Sequence, residues 1–154
     1  MRNAVLLFTI VFGLSAFASS KLDVSPDNKI DVKGLMTMTV AWVKDKSKKF
    51  DVSITIKNES DKAGIIVMLN DMGCGRGDTA GQLKHTFFNT GERTIDFKAH
   101  QQKQFNMVCD LGGDVKSGPF KLNIAKVYDN PGMDGHTLGK ILASDLTWSQ
   151  DDKK

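Results

Sequence analysis

The residues best suited to chemistry are three histidines, His85, His100 and His136, and a set of methionines that includes Met72, Met107 and Met133. Imidazole and thioether together form a donor set that copper accepts in an oxidising compartment. Met133 and His136 are the closest such pair, and Asp129 and Asp134 lie beside them in the same loop. These four are the metal candidates of the chain. Three observations weaken them. The histidines are dispersed along the sequence. A blue-copper pattern needs His and Met shortly after a Cys, whereas Cys109 is followed by Asp-Leu-Gly-Gly. Oxygen ligation of Ca²⁺ by Asp129, Asn130 and Asp134 departs from the EF-hand spacing, and Asp-Asn-Pro-Gly is an ordinary turn sequence.

Acid–base or nucleophilic catalysis has no better support. The sequence contains no nucleophile elbow and no phosphate-cradling glycine loop. We assign no catalytic residue and no cofactor, and expect a protein that is not an enzyme. Arg76-Gly77-Asp78 has the form of an adhesion tripeptide, but a three-residue match in a glycine-rich stretch carries little information. Asn58-Glu59-Ser60 is a glycosylation sequon at a strand turn. Trp42 and Trp148 could stack on sugars if exposed, yet both fall in phase with apolar neighbours, which predicts core positions.

The two cysteines are read together with the start of the chain. Residues 1–18 have the layout of a secretory signal: Arg2, an apolar run from Ala4 to Phe12, and the small-residue cleavage site Ala16-Phe17-Ala18. No later stretch approaches membrane-spanning length. The expected localisation is therefore exported, periplasmic or secreted, without stable membrane insertion. In that compartment Cys74 and Cys109 are expected to form a disulfide.

The formal net charge is +3, with both signs interleaved through most of the chain. Such a balance points to no polyanionic partner, and no nucleic-acid binding is expected. The one basic cluster, Lys44-Asp45-Lys46-Ser47-Lys48-Lys49, reads as a solvated hairpin loop. An anionic partner there would need further basic residues or aromatics beside it, and the sequence places none adjacent.

The elements that must position these residues are strands. Residues 19–34 form a polar lead-in with a short strand near Ile30 and Val32. Strict alternation of apolar and polar residues predicts strands over 35–43 and 50–57, and the run Ile65 to Leu69 predicts a more buried one. Four glycines make 70–82 read as an irregular loop. Alternation returns over 83–88 and from Ile95 to Cys109, where one preserved phase suggests a single bent strand. A second glycine-rich loop at 111–119, a strand from Phe120 to Tyr128, a turn-rich loop at 129–139 and a strand over 141–148 complete a domain at 35–148. Residues 149–154 read as a polar tail.

Ile54-Thr55-Ile56-Lys57-Asn58-Glu59-Ser60-Asp61-Lys62, the later Lys126-Val127-Tyr128-Asp129 and a closing strand ending at Trp148 resemble the immunoglobulin-like modules of bacterial exported proteins. The resemblance implies an all-β, immunoglobulin-like antiparallel β-sandwich of seven to eight strands, with a binding or bracing role and no fixed catalytic residues. The expected function is an exported module that binds a protein or cell-envelope partner; periplasmic copper-type metal binding through His and Met is the alternative. Strand counting sets a problem for the disulfide. If every segment crosses the sandwich fully, Cys74 and Cys109 end about 20 Å apart, whereas bonded cysteines need Cα atoms at roughly 6 Å. Either 70–82 carries the chain toward the other end, or 94–109 is bent. The bond would then join the two glycine-rich loops into one surface, with Gly75, Arg76, Asp78, Asp110 and Asp114 as the candidate partner residues.

Overall fold

The computed structural model describes residues 21–23, 29–61, 64–85, 94–132 and 137–151, with backbone alone at 21–23 and His85. The signal at 1–18, the metal candidates Met133, Asp134 and His136, and the chain end at 152–154 lie outside the described residues.

The first hairpin shows how the sequence builds the fold. β3 (Met36–Asp45) and β4 (Lys49–Asn58) pair antiparallel. Met36, Met38 and Val40 share the buried face with Phe50, Val52, Ile54 and Ile56. The turn between them is closed by Lys46 N–H donating to the Lys49 carbonyl at 2.9 Å, while Asp45 Oδ1 accepts from Ser47 N–H at 2.9 Å. Two short strands, β1 (Lys21–Asp23) and β2 (Lys29–Val32), lie end to end along the outer edge of β3. The polar lead-in therefore contributes sheet edge.

The remaining strands are β5 (Ile65–Met68), β6 (Met72–Arg76), β7 (Thr79–His85), β8 (Thr94–Phe97), β9 (Gln102–Asp110), β10 (Phe120–Asp129) and β11 (Ile141–Gln150). Among the described residues all eleven strands belong to one antiparallel sheet ordered β1-β3-β4-β9-β7-β6-β10-β5-β8, with β2 also beside β3 and β11 also beside β10. This corrects the expected immunoglobulin-like sandwich of seven to eight strands. β7 joins the two halves, pairing with β6 through Thr79, Ala80 and Gly81 and with β9 through Gln82 to His85, so there are not two separate sheets. The sheet is also open: its order ends at β1 and β8 and does not close on itself.

The error traces to residues 70–82. They form a single 3-10 turn (Leu69–Asp71), all of β6 and the start of β7, not a loop. β5 and β6 both run antiparallel to β10, so β6 continues in the direction of β5. The chain reverses only at Gly77-Asp78. Cys74 is thereby carried to the end of the molecule where Cys109 lies. The expected bent strand is instead two strands, β8 and β9. They pair with β5 and β4 respectively, on either side of a turn at Lys98–Gln101 that includes His100 at φ 59°.

The sheet creases along β7. Cys74 on β6 pairs with Gly81 and Cys109 on β9 pairs with Leu83, two positions further along β7, so in a flat sheet their Cα atoms would stand about 12 Å apart. They are 6.0 Å apart. Gly81 of β7 lies at the crease: a Cβ there would stand 2.4 Å from Cys109 Sγ. β4 and β10 are four strands apart in the order, yet Phe50 and Phe120 meet edge to face at 5.0 Å. The apolar faces of the two halves thus pack on each other in one core that contains Trp148, Met107 and Phe97.

Trp42 departs from its expected core position. The β3–β4 register shifts between Val40 and Trp42. An extra residue in one strand flips the side-chain phase beyond it. Val43 therefore points inward, and Trp42 is half-buried on the outer face while Trp148 is buried in the core.

Candidate functional site

Three polar devices fix the end of the molecule that carries the β3–β4, β6–β7 and β9–β10 connections. The first is the disulfide, with an S–S distance of 1.99 Å; both cysteines are buried. The second is Arg76. Its side chain is 4% exposed and pairs with Asp45 at 2.8 Å. It also donates to the carbonyl oxygen of Val115 at 2.8 Å, and its guanidinium stacks 4.7 Å from the Phe120 ring centre. A planar guanidinium offers five donors in a fixed fork, which suits several acceptors at once. The third is backbone bonding between loops: Leu111 N–H to the Lys48 carbonyl at 2.8 Å, Val115 N–H to Ser47 at 3.2 Å, and Gly77 N–H to Pro119 at 2.9 Å.

The opposite end has its own tie. Asn58 Nδ2 donates to the carbonyls of Phe97 and Lys98 at 3.4 and 3.1 Å, and Oδ1 accepts from Ser60 N–H at 2.9 Å. The sequon asparagine is buried. Its amide nitrogen crosses between the halves of the sheet and is not presented for glycosylation.

Of the five residues expected to form a partner surface, all gather at the disulfide end, but they differ in accessibility. Arg76 is interior, which also removes the adhesion-tripeptide reading. Gly75 is buried, and a Cβ there would lie 2.6 Å from the Thr79 carbonyl, so the tight β6–β7 pairing requires glycine. Asp110 bonds Lys84 Nζ at 2.7 Å and accepts from Gly112 N–H at 3.1 Å. The Lys84 bond first, then the Gly112 bond, holds its carboxyl below the usual range. Asp78 and Asp114 are exposed.

Beside this end the outer face of β6 and β10 forms a shallow open groove of about 690 Å³. Gly73 and Gly75 form its floor. Side chains alternate along a strand, so with Met72, Cys74 and Arg76 pointing into the core, the intervening positions face outward, and both are glycine. The walls carry Asp71, Asp78, Lys121, Asn123 and Thr147. Lys121 Nζ is held by the Gly77 carbonyl at 2.7 Å, and Asn123 Nδ2 points to Thr147 Oγ1 at 3.5 Å. A Cβ on Gly73 would meet nothing closer than Asn123 Cβ at 3.7 Å, an ordinary contact. The space above Gly73 is therefore left open by sequence, not by backbone geometry. Sequence reasoning missed Gly73, Lys121, Asn123 and Thr147. The polar phase of the strand from Phe120 marks Lys121 and Asn123 as outward, but nothing in the chain order says that β6 is their neighbour.

Among the described residues no group of three or more His, Cys, Asp or Glu side chains converges as a metal site. Asp129 is half-buried and its backbone bonds Lys140 and Gly139. His100 pairs with Asp61 at 3.0 Å on the surface. No helix among the described residues is long and apolar enough to cross a membrane.

No protein-family model matches the chain, and no curated protein matches it. Among solved structures the fold is similar to the crystal structure of a Bacillus subtilis protein described as a candidate lipoprotein, with a TM-score of 0.53 and 16% identity. The match covers 82% of this chain and 39% of that one. At this identity the likeness is one of fold alone. The immunoglobulin-like resemblance is replaced by this one.

Proposed function

We propose that the protein is an exported, non-catalytic binding module that holds a protein or cell-envelope partner in the groove floored by Gly73 and Gly75. The observation that carries this reading is the groove itself. Open space over a strand is normally filled by side chains, yet here two outward positions are glycine and only one of them, Gly75, needs to be. Glycine in a strand interior is unfavourable by roughly 0.5–1 kcal/mol relative to alanine, and close approach of another molecule to the backbone is a recognised reason for it. The disulfide, Arg76 and the loop bonds hold the groove's shape before a partner arrives, which lowers the cost of binding. Export is supported by the signal-like residues 1–18 and by the disulfide. The likeness to a candidate lipoprotein agrees with it.

The test compares mature protein with its Gly73→Phe variant as immobilised bait for native envelope extract. A partner retained by the parent and lost by Gly73→Phe supports the reading, provided the variant keeps its disulfide and its unfolding midpoint. Equal retention by both proteins places the partner elsewhere.

A further inference from the structure

The basic loop that looks isolated in sequence gains basic neighbours in the fold. Lys48 is exposed in the β3–β4 connection, Lys49 at the start of β4, and Lys116 in the β9–β10 connection. The backbone bonds from Leu111 to Lys48 and from Val115 to Ser47 join these two loops. Three carboxylates at this end are already engaged: Asp45 by Arg76, Asp51 by Lys46 and Asp110 by Lys84. Lys48 and Lys116 take part in none of these pairs, and Lys49 lies across from Asp110, whose ion pair is with Lys84. Lys44 and Lys121 stand at the same end, and the exposed carboxylates Asp78 and Asp114 oppose them. Lys21, opposite Lys44, and Asp151, next to the Gln150 that pairs with Phe120, offset each other, so the described residues of this end keep an excess of three positive charges. Basic residues that are separated in the sequence are thereby brought together at one end of the molecule.

We propose that this end docks peripherally on a membrane surface that carries anionic phospholipid headgroups. The geometry favours a surface over a single bound ion. A lone phosphate needs donors that converge in a cradle, whereas these lysines sit on separate exposed loops at the tip of the molecule. A planar array of charges can engage them together, and each lysine adds an independent increment. Nucleic acid is disfavoured because single-strand binding uses exposed aromatics beside the cations, and Phe50 and Phe120 at this end are buried. The contact is electrostatic and not insertive: Val115, the apolar residue of the loop tip, is half-buried against the core. Lys48, Lys49 and Lys116 do not line the glycine-floored groove, so substitutions there test this surface without altering the groove.

The experiment is co-sedimentation of mature protein with vesicles of neutral phosphatidylcholine alone or mixed with about one third phosphatidylglycerol. The parent should sediment only with the anionic vesicles and should be released by about 0.5 M salt. The triple variant Lys48→Glu, Lys49→Glu, Lys116→Glu should lose at least about tenfold in partitioning. A control triple with the same change in net charge, Lys33→Glu, Lys126→Glu, Lys140→Glu, lies toward the opposite end and should keep most of the binding. An intact disulfide and unchanged near-ultraviolet dichroism confirm that each variant is folded. Equal loss in both triples would mean that net charge alone acts, and would overturn the proposal. So would equal sedimentation with neutral vesicles, release by 10 mM inorganic phosphate at constant ionic strength, or binding to single-stranded DNA with none to vesicles.

Discussion

At the scale of single residues, Arg76 sets the order of importance. Its guanidinium satisfies Asp45 and the Val115 carbonyl while stacking on Phe120. Arg76→Ala leaves Asp45 Oδ2 and the Val115 carbonyl without the guanidinium in a part-buried setting and should cost about 2–4 kcal/mol in urea denaturation. Arg76→Lys should recover little, because one ammonium cannot reproduce the fork. The tryptophans should separate clearly. Trp148→Ala should cost about 3–5 kcal/mol, and Trp42→Ala, on the outer face, about 1 kcal/mol or less. Sequence phase placed both in the core because a bulge is invisible to an alternation count. Asp110 gives a pH dependence. Its folded carboxyl titrates below its unfolded value, so the stability it contributes is present above the unfolded value and is lost as pH falls through the folded one. Stability should therefore fall as pH drops below about 4. In Asp110→Asn, acid titration of the unfolding midpoint should show a shallower fall.

At the scale of elements, the β6–β7 hairpin determines the architecture. Alternation exposed β3, β4, β10 and β11 because each has one apolar and one polar face. It could not expose β6, whose outward positions are glycines and whose inward positions are Met72, Cys74 and Arg76. That spacing of two was the available signal, and the glycines masked it. Reading 70–82 as a loop then detached the halves of the sheet and led to a sandwich. The disulfide expectation survived because it rested on compartment and not on topology. Gly81 connects the two levels. Its missing side chain makes room for Cys109 Sγ at the crease, so Gly81→Ala should hinder closure of the bond. Alkylation and mass measurement of non-reduced protein should then find a substantial fraction with free thiols, whereas Gly73→Ala should remain fully oxidised.

At the scale of the whole molecule, the chain is one open sheet folded on itself, with its halves joined by Asn58 at one end and by the disulfide and Arg76 at the other. The basic residues of the two joined loops and the glycine-floored groove lie toward the second end. A β fold and the Cys74–Cys109 bond were legible from strand alternation and the cysteines. The groove was not, because it depends on β6 lying beside β10, a pairing of residues far apart in the chain. The most direct test of the groove as the partner site is site-specific photo-crosslinking in the native compartment. A photoreactive residue is placed at Asn123, in the groove, and in a second protein at Lys57, on the outer face of β4. One discrete adduct is expected from position 123, abolished by Gly73→Phe, and none from position 57. An adduct from position 57 with none from 123 would contradict the groove as the partner site.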